Sequence, residues 1–304
     1  MSIPFVRDLE IEYGRCDDLA PGIRRVVAGN PSAFTFHGTG TYIIGRDKVA
    51  VIDPGPAIEA HVEAIMRAVH GETVSHILVT HTHNDHSPAC RLLQPQVKAP
   101  TYGYGPHGAG KAEQGVVVEE GGDLEFEPDE RVRDGQIIDG GRWQVDCVHT
   151  PGHTSNHICF GLHQGKALFS GDHVMGWSTS VISPPDGDMR DYMASLRKLL
   201  DRDDAIYWPT HGPAIRDPKP FVHAFIAHRE AREAQILACL EEGMTTIEAM
   251  VAKLYAGVSP GLHRAAGRSV LAHLQHMVDA GRAACEGAPA LDSQYRAVDT
   301  GSCL

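Results

Sequence analysis

Four short motifs rich in His and Asp carry residue types that bind metal ions, and each motif directly follows an apolar run. In chain order the motifs are Thr80-His81-Thr82-His83-Asn84-Asp85-His86, Thr150-Pro151-Gly152-His153-Thr154, Ser170-Gly171-Asp172-His173 and Pro209-Thr210-His211-Gly212. Imidazole and carboxylate groups suit zinc, manganese and iron. Because buried strands deliver the loops at their ends to a common rim, we expect the four motifs to meet in one metal site.

The spacing within the first motif predicts ligands for two ions. Alternate residues of an extended segment face the same way, so His81 and His83 can present their imidazoles to one ion. Once the loop has turned, Asp85 and His86 can face a second ion, about 3.5–4 Å from the first in two-metal hydrolases. Alone, the motif could be a surface histidine cluster, but the three further motifs favour metal binding.

The other three motifs complete the predicted ligand set. The Pro-Gly turn before His153 can direct this imidazole at the first ion. Asp172 has two carboxylate oxygens and can bridge both ions, and His211 adds one more imidazole. The predicted metal ligands are His81, His83, Asp85, His86, His153, Asp172 and His211. Two Zn²⁺ ions per chain are the expected cofactors, with Mn²⁺ or Fe²⁺ as alternatives because spacing does not identify the metal.

Such a site predicts hydrolysis at neutral pH. Two dications that share a water lower its pKa from about 15.7 toward about 7, so that a hydroxide bridging the metals becomes the expected nucleophile. Asp85 and His173 are the candidate catalytic residues. Asp85 could hold the proton of the water, although a ligand role is favoured for it. His173 and His157 could contact substrate or donate a proton, or they could be hydrogen-bonded loop histidines.

Further residues are candidates for supporting the ligands or for contacting substrate. Asp53, at a strand end, could accept the second N–H of a ligand imidazole, or it could simply form a turn. Tyr42, Trp177 and Tyr192 could line the pocket, although aromatic residues near a sheet edge more often belong to the core.

Up to about residue 220 the sequence consists mainly of short apolar runs that end at Gly, Pro or polar loops, a pattern typical of buried strands. The runs are RRVVAG, TYIIGRDKVAVIDPG, SHILVTHTH, RWQVDCVHTPGH, HICFGLHQGKALFSGDH and AIYWPTHGP. Helical periodicity appears in IEAHVEAIMRAVH and in DYMASLRKLL. This order predicts an α/β domain over residues 1–220, a layered sheet sandwich flanked by helices.

From Phe221 onward the pattern becomes helical. Three segments with helical apolar spacing end at Gly243, Gly257 and Gly281, and two short apolar pieces, RAACEG and SQYRAVD, follow around a turn. Three helices and a small hairpin predict a winged-helix-like domain over residues 221–304. Seven Arg and Lys stand against nine Asp and Glu there, which favours a structural or dimerising role over nucleic-acid binding.

The composition narrows the possible functions. The chain has 304 residues and a formal net charge of −12, which disfavours broad binding to nucleic acids. The seven cysteines form no C-x-x-C pair and are predicted to be reduced packing residues. No secretory signal or membrane-spanning apolar run is apparent, so we expect a cytoplasmic protein without membrane contact.

The four motifs resemble those of the metallo-β-lactamase superfamily, over roughly residues 20–215. The resemblance implies an αβ/βα sandwich with metals at one edge. It also implies that His81, His83 and His153 form the first metal site, that Asp85, His86 and His211 form the second, and that Asp172 bridges them. A second stretch, from Gly171 to Ser180 and then Pro184 to Met189, is similar to the lactamase-beta-like protein 2 branch, as are Asn30-Pro31 and Gly38-Thr39-Gly40-Thr41. Members of that branch also end in a small winged-helix-like domain.

The resemblance implies two activities in that branch, cleavage of single-stranded RNA and hydrolysis of acyl-carrier thioesters. Asp172 counts against β-lactam hydrolysis, because lactamases of the superfamily generally lack this carboxylate. Hydrolysis of a thioester, lactone or other ester, on a small-molecule or carrier-bound acyl substrate, fits the ligand set and the charge. RNA cleavage comes second, and a mononuclear iron dioxygenase and a non-catalytic winged-helix regulator remain open. A homodimer is also possible.

Overall fold

The computed structural model describes residues 3–108 and 121–298 of the chain. The strands are β1 Cys16–Ala20, β2 Ile23–Val27, β3 Gly40–Arg46, β4 Lys48–Ile52, β5 Thr73–Leu78, β6 Thr101–Gly103, β7 Glu130–Arg131, β8 Ile137–Asp139, β9 Gln144–His149, β10 Ile158–Leu162, β11 Ala167–Gly171, β12 Ile206–Pro209, β13 Ala283–Cys285 and β14 Tyr295–Ala297. The helices are α1 Glu59–Ala68, α2 Cys90–Val97, α3 Met189–Leu200, α4 Pro218–Glu241, α5 Ile247–Leu254 and α6 His263–Asp279, with a short 3-10 helix at Pro260–Leu262.

Two mixed sheets face each other. The first has the order β1-β2-β3-β4-β5-β6-β7, and the second has the order β12-β11-β10-β9-β8. Tyr42 and Ile52 of the first sheet pack against Phe160 and Phe169 of the second in one buried core. β4 is buried on both faces, which explains why its sequence is a continuous apolar run and does not alternate.

Helices cover the outer faces of both sheets. Val62 and Ile65 of α1 and Leu93 of α2 pack on the first sheet. Leu196 of α3 and Phe225 of α4 pack on the second. The result is the layered α/β sandwich that the sequence predicts.

The sequence pattern does not predict α2. This helix has only eight residues and contains Pro95, so it offers too few turns for a clear helical period. The short strands β1, β6, β7 and β8 are also not among the predicted runs, because each one has few buried apolar residues or is very short.

The C-terminal part has the predicted winged-helix outline of α4, α5 and α6 followed by the β13–β14 hairpin. Thr246 begins α5 as its N-cap, where its hydroxyl accepts the Ala249 N–H at 3.3 Å. Ile236, Met250 and Val270, one from each helix, share a buried core with the hairpin.

α4 belongs to both packing regions. Its first half, including Phe221 and Phe225, packs with α3 on the second sheet, and its second half, including Ile236 and Leu240, packs in the C-terminal core. The predicted domain boundary between residues 220 and 221 falls near the start of this helix. That boundary stays a prediction.

The six cysteines that the structure describes, Cys16, Cys90, Cys147, Cys159, Cys239 and Cys285, form no disulfide, and four of them are buried. Cys303 lies outside the described residues. Over residues 3–108 and 121–298, no helix combines the length and the apolar composition needed to cross a lipid bilayer.

One buried carboxylate joins α4 to the elements packed on it. The Glu233 side chain is 8% exposed; it accepts a hydrogen bond from His276 Nδ1 at 2.6 Å and another from the Arg282 guanidinium. Burial alone would raise the pKa of Glu233, but the nearby His273 ring and the hydrogen bonds from His276 and Arg282 outweigh it and lower the pKa. The stabilisation is therefore fully present above the ordinary glutamate pKa and is lost as the pH falls toward the lowered value.

We expect Glu233→Ala to lower the free energy of unfolding by about 1.5–3 kcal/mol, because it removes charge-assisted hydrogen bonds from His276 and Arg282. Urea unfolding followed by circular dichroism measures the loss. The control is Glu242→Ala, which removes an exposed pair with Lys253 and should cost at most about 1 kcal/mol. Equal losses in the two variants would contradict a special role for Glu233.

Candidate metal centre

Four strand ends at one rim of the sandwich carry the seven predicted ligands. β5 ends at Leu78 and leads to the first motif, β9 leads to His153, β11 leads to Asp172 and β12 leads to His211. All seven side chains converge, and six of them are almost fully buried, while Asp85 is 20% exposed. The convergence follows from two sheets that present these ends at the same edge.

The first group of donor atoms consists of three imidazole nitrogens. His81 Nε2 lies 3.0 Å from His83 Nδ1, and His153 Nε2 lies 3.1 Å from the same atom. Three nitrogens this close together can all bind one ion placed between them, so they form a candidate site for a divalent ion.

The second group combines Asp85, His86 and His211. Asp85 Oδ2 lies 3.0 Å from His211 Nε2 and 3.5 Å from His86 Nε2. This mixture of imidazole and carboxylate donors also suits zinc, manganese or iron.

Asp172 lies between the two groups. Its Oδ2 is 3.4 Å from His211 Nε2 and 3.6 Å from His86 Nε2, and it is 3.8 Å from His153 Nε2 of the first group. Asp172 is therefore the one carboxylate of the set whose oxygen approaches donors from both groups.

The second nitrogen of four ligand imidazoles has a partner that orients the ring. Nδ1–H of His153 donates to Val181 O at 2.6 Å, and Nδ1–H of His211 donates to Gly38 O at 3.1 Å. Because a carbonyl only accepts, Nδ1 of both rings keeps its proton, and Nε2 is the nitrogen that faces the site and is left to bind an ion. The remaining two partners are Asp53 for His86 Nδ1 and Thr80 Oγ1 for His81 Nδ1.

Asp53 fixes three strand ends at once. Its carboxylate accepts hydrogen bonds from Thr80 N, Thr80 Oγ1 and Thr210 Oγ1, each at 2.8 Å, and from His86 Nδ1 at 3.0 Å. The side chain is fully buried, and its backbone adopts a left-handed φ of 48°. It has the arrangement expected of a carboxylate that orients a metal-binding histidine.

The two donor groups differ in charge. Burial lowers the pKa of His81, His83 and His153, so these imidazoles are neutral. Burial acts the same way on His86 and His211, but the nearby carboxylates outweigh it and raise both pKa values, that of His211 to about 10.

The donor set fits divalent ions. Nε2 of His86, Nε2 of His211 and Oδ1 of Asp172 are buried polar atoms without a hydrogen bond of suitable geometry to any described residue. Buried polar atoms of this kind normally have a partner, and here all three lie where the predicted ions would bind.

Two glycines allow the ligand loops to pack closely. Gly171, before Asp172, has a left-handed φ of 53°, and a Cβ there would lie 2.5 Å from His157 Nε2. Gly152, before His153, has a φ of 133°, and a Cβ there would lie 2.3 Å from Tyr192 Cα. Any larger residue at either position would displace the ligand that follows it.

Two further predicted site histidines lie beneath the ligands. His157 Nε2 accepts the backbone N–H of Asp172 at 3.2 Å, so His157 orients the loop that carries this ligand. His173 is fully buried, with its ring packed against Tyr192 at 4.7 Å. Burial lowers the pKa of His173 to about 3, so the ring is neutral at ordinary pH.

A cavity of about 240 Å³ opens over the ligands. Of the three aromatic candidates, Trp177 lines it, while Tyr42 and Tyr192 are core residues whose hydroxyls donate to Pro209 O and His173 O. Trp177 stacks on Phe36 with ring centroids 4.8 Å apart. The described lining residues are Ser32, Ala33, Phe34, Thr35, His83, Asp85, His153, Asp172, Met175, Trp177, Ser178, Thr179 and Val181.

Sequence reasoning misses several supporting residues. Thr80 and Thr210 each precede a ligand histidine and bind Asp53, and the repeated Thr-His pair at two strand ends is a signal that could have revealed them. Val181 and Gly38 act through their backbone carbonyls, for which side-chain identity gives no signal.

Residues 35–211 match the family model described as metallo-beta-lactamase superfamily, and residues 246–290 match the beta-lactamase associated winged helix domain. The first match covers the whole ligand set, and the second covers α5, α6 and β13.

Among known proteins, the chain is similar to lactamase-like protein adaB of Aspergillus niger, with 29% identity over 80% of this chain and 76% of that protein. It is 28% identical to an atrochrysone carboxyl ACP thioesterase of Claviceps purpurea, over 79% and 74%. It is 31% identical to the beta-lactamase-like protein 2 homolog of Caenorhabditis elegans, over 74% and 73%. A beta-lactamase domain protein from Burkholderia ambifaria shares the fold, with a TM-score of 0.79, 21% identity and 96% coverage of both chains.

The difference in charge predicts different proton release on metal binding. His86 and His211 must lose protons to bind an ion, whereas His81, His83 and His153 are already neutral. At pH 7 we expect about one to two protons released per Zn²⁺ at the second group, and fewer than one at the first. Calorimetry in buffers of different ionisation enthalpy measures the release, with His83→Ala and His211→Ala isolating each group. Release of the same number of protons in both variants would contradict the difference in charge between the two donor groups.

Replacement of Asp53 should weaken metal binding without removing a ligand. We expect Asp53→Asn to lower Zn²⁺ affinity by about 10- to 100-fold, because one acceptor oxygen for His86 and the threonines is lost. Competition with a chromogenic chelator measures it. The matched control is Asp123→Asn, a buried carboxylate bonded to Ser87 and Arg91, which should leave the affinity unchanged. Wild-type affinity in Asp53→Asn would show that this carboxylate does not orient the ligands.

Proposed function

The chain belongs to the metallo-β-lactamase superfamily and is a hydrolytic enzyme, and we propose that it uses two zinc ions to hydrolyse a thioester, lactone or other ester. The single observation that carries this proposal is the position of Asp172. Its Oδ2 lies within 3.8 Å of donor nitrogens from both groups, as a carboxylate shared by two ions would.

The predicted ligands would bind the two ions in two groups. His81, His83 and His153 would hold one ion, Asp85, His86 and His211 would hold the other, and Asp172 would contact both. When bound, two such ions lower the pKa of a water between them and polarise the carbonyl oxygen of the substrate. Mn²⁺ and Fe²⁺ suit the same donors.

Asp85 differs from the other predicted ligands in its exposure. It is the most exposed of the seven side chains, and it lines the cavity. Burial alone would raise its pKa, but His86 and His211 outweigh burial and lower the pKa to about 2. The carboxylate is therefore ionised, which favours its role as a metal ligand, while so low a pKa makes it a weak base toward an attacking water. We assign no proton transfer to His173, because its ring packs beneath the ligands against Tyr192.

The cavity wall favours an acyl substrate. Phe34, Met175, Trp177 and Val181 form an apolar surface, and none of the described lining residues is Lys or Arg. An uncharged acyl group can bind such a surface, whereas an RNA backbone needs cations along its path. The net charge of −12 also disfavours the binding of RNA, because it repels a polyanion.

The thioesterase name of the Claviceps purpurea relative supports a carrier-bound acyl thioester as substrate. Such a substrate would bring its acyl group into the cavity while the carrier stays outside. Homodimer formation remains a prediction that is independent of this chemistry.

We expect the purified enzyme loaded with Zn²⁺ to hydrolyse a chromogenic acyl thioester and to leave a fluorescent single-stranded RNA intact in a parallel assay. His211→Ala should lower kcat/KM by about 1,000-fold or more, because loss of a ligand removes several kcal/mol of transition-state stabilisation. His223→Ala, an exposed histidine on α4, is the matched control and should keep wild-type activity.

Metal-dependent cleavage of the RNA that His211→Ala abolishes, with intact acyl substrates, would replace the ester proposal with RNA hydrolysis. Metal analysis by plasma mass spectrometry should find close to two zinc ions per chain. One iron per chain, with oxygen consumption on a persulfide, would instead indicate a dioxygenase.

A further inference from the structure

A buried cation of the C-terminal helices reaches the loop beneath the metal centre. Arg229, on α4, is 3% exposed, and its guanidinium Nη2 donates to the backbone carbonyl of Ser180. The same guanidinium lies over the ring of Tyr192, 5.2 Å from its centroid. Both contacts are with residues of the catalytic sandwich, so Arg229 links the two packing regions of the molecule.

The segment that Arg229 contacts holds two of the predicted ligands. The Ser180 hydroxyl lies 2.5 Å from Asp172 O and 2.8 Å from His173 O, to which it donates. The next residue, Val181, accepts the Nδ1–H of His153 at 2.6 Å. Val181 therefore contacts one ligand of the first donor group, and Ser180 contacts the backbone of Asp172, the residue whose carboxylate lies between the groups.

Tyr192 also connects Arg229 to the loops that carry His153 and Asp172. Its hydroxyl donates to His173 O at 2.8 Å, next to Asp172. Its backbone is packed so closely against Gly152, the residue before His153, that no Cβ fits between them. A shift of Tyr192 would therefore move the loops of both ligands.

The cost of burying Arg229 needs an explanation. Among the described residues no carboxylate forms an ion pair with it, and its Nε has no hydrogen-bond partner. A buried charge without a counterion destabilises a protein unless other polar groups compensate for the lost water. A charge-assisted bond to a carbonyl is stronger than a neutral one, and it holds that peptide in one orientation.

We propose that Arg229 is a positioning residue for the metal centre: it fixes Ser180 and Val181, and through them the orientation of His153 and Asp172. The inference rests on the metal ligands of the proposed function. It gives the C-terminal helices a role that involves no nucleic acid, namely completing the support of the site.

The test compares two substitutions on α4. Arg229→Met removes the charge and the donors but keeps an unbranched apolar side chain in place of the aliphatic stem of arginine. Arg232→Met removes a cation three residues further on, where Arg232 lies over the ring of Tyr255 at 4.4 Å and contacts no predicted ligand. Zn²⁺ affinity is measured by chelator competition, and ligand geometry is measured from the visible absorption bands of the Co²⁺-substituted protein.

We expect Arg229→Met to bind Zn²⁺ about 10- to 100-fold more weakly than wild type, the range found when a group that orients a metal ligand is lost. Its Co²⁺ bands should shift, while Arg232→Met keeps both the affinity and the spectrum of wild type. A residue that only stabilises the fold would change the unfolding temperature but not the Co²⁺ spectrum of the folded protein. Wild-type affinity and spectrum in Arg229→Met would overturn the inference.

Ser180→Ala and Arg229→Lys carry the test if Arg229→Met does not fold. Ser180→Ala removes the hydroxyl that binds Asp172 O and leaves α4 intact, so weaker Zn²⁺ binding is again expected. Arg229→Lys keeps a charge and a donor and should recover part of the affinity. Wild-type affinity in Ser180→Ala would overturn the inference, as would a folded Arg229→Lys protein that binds Zn²⁺ no better than Ser180→Ala. A wild-type chain that binds no divalent ion would overturn the metal centre itself, so the two failures are distinguishable.

Discussion

The buried carboxylate of Asp53 joins the two sheets at the edge where the candidate ligands converge. It follows β4 and receives hydrogen bonds from the residues after β5 and after β12, which belong to opposite sheets. A carboxylate without water around it needs such partners, because an unsatisfied buried charge is very costly. Asp53, Thr80 and Thr210 therefore stabilise one another, and the placement of His86 and His211 depends on that arrangement. The left-handed backbone at Asp53 is the local strain that turns the carboxylate inward.

The site that results is electrically asymmetric. Three neutral imidazoles stand on one side, and two carboxylates with two imidazoles of raised pKa stand on the other. Asp172 lies at the boundary, held from below by His157, which accepts its backbone N–H, and by Ser180. Above this boundary the wall of Phe34, Met175 and Trp177 is apolar. The cavity thus combines candidate ligands with apolar side chains and with the hydroxyls of Ser32, Thr35, Ser178 and Thr179.

The sequence predicts the sandwich and the convergence of the ligands well, because both depend on local patterns: apolar runs, and His or Asp directly after them. For Asp53 the sequence leaves a ligand partner and a turn residue open, and the structure places its carboxylate 3.0 Å from His86 Nδ1. For Tyr42 and Tyr192 it leaves the pocket and the core open, and both side chains are buried in the core. Their hydroxyls bind backbone carbonyls, as do His153 and His211, and contacts of this kind depend on tertiary structure alone. The sequence does not predict helix α2, because the helix contains Pro95 and is too short to show a helical period. A signal for Arg229 does exist, since it lies four residues after Phe225 on the buried stripe of α4, where a charge is unexpected.

The continuity of α4 also bears on how such chains are assembled from modules. A segment that ended just after His211 would include every candidate ligand. Judged by its ligands alone, it would be taken for a complete catalytic domain. The helix that packs against the underside of that unit, however, begins at Pro218 and shares its last turns with the neighbouring core. Exchange of the C-terminal module by recombination would therefore replace part of the catalytic unit's own supporting layer. A replacement module would have to supply a helix that packs as α4 does in both regions.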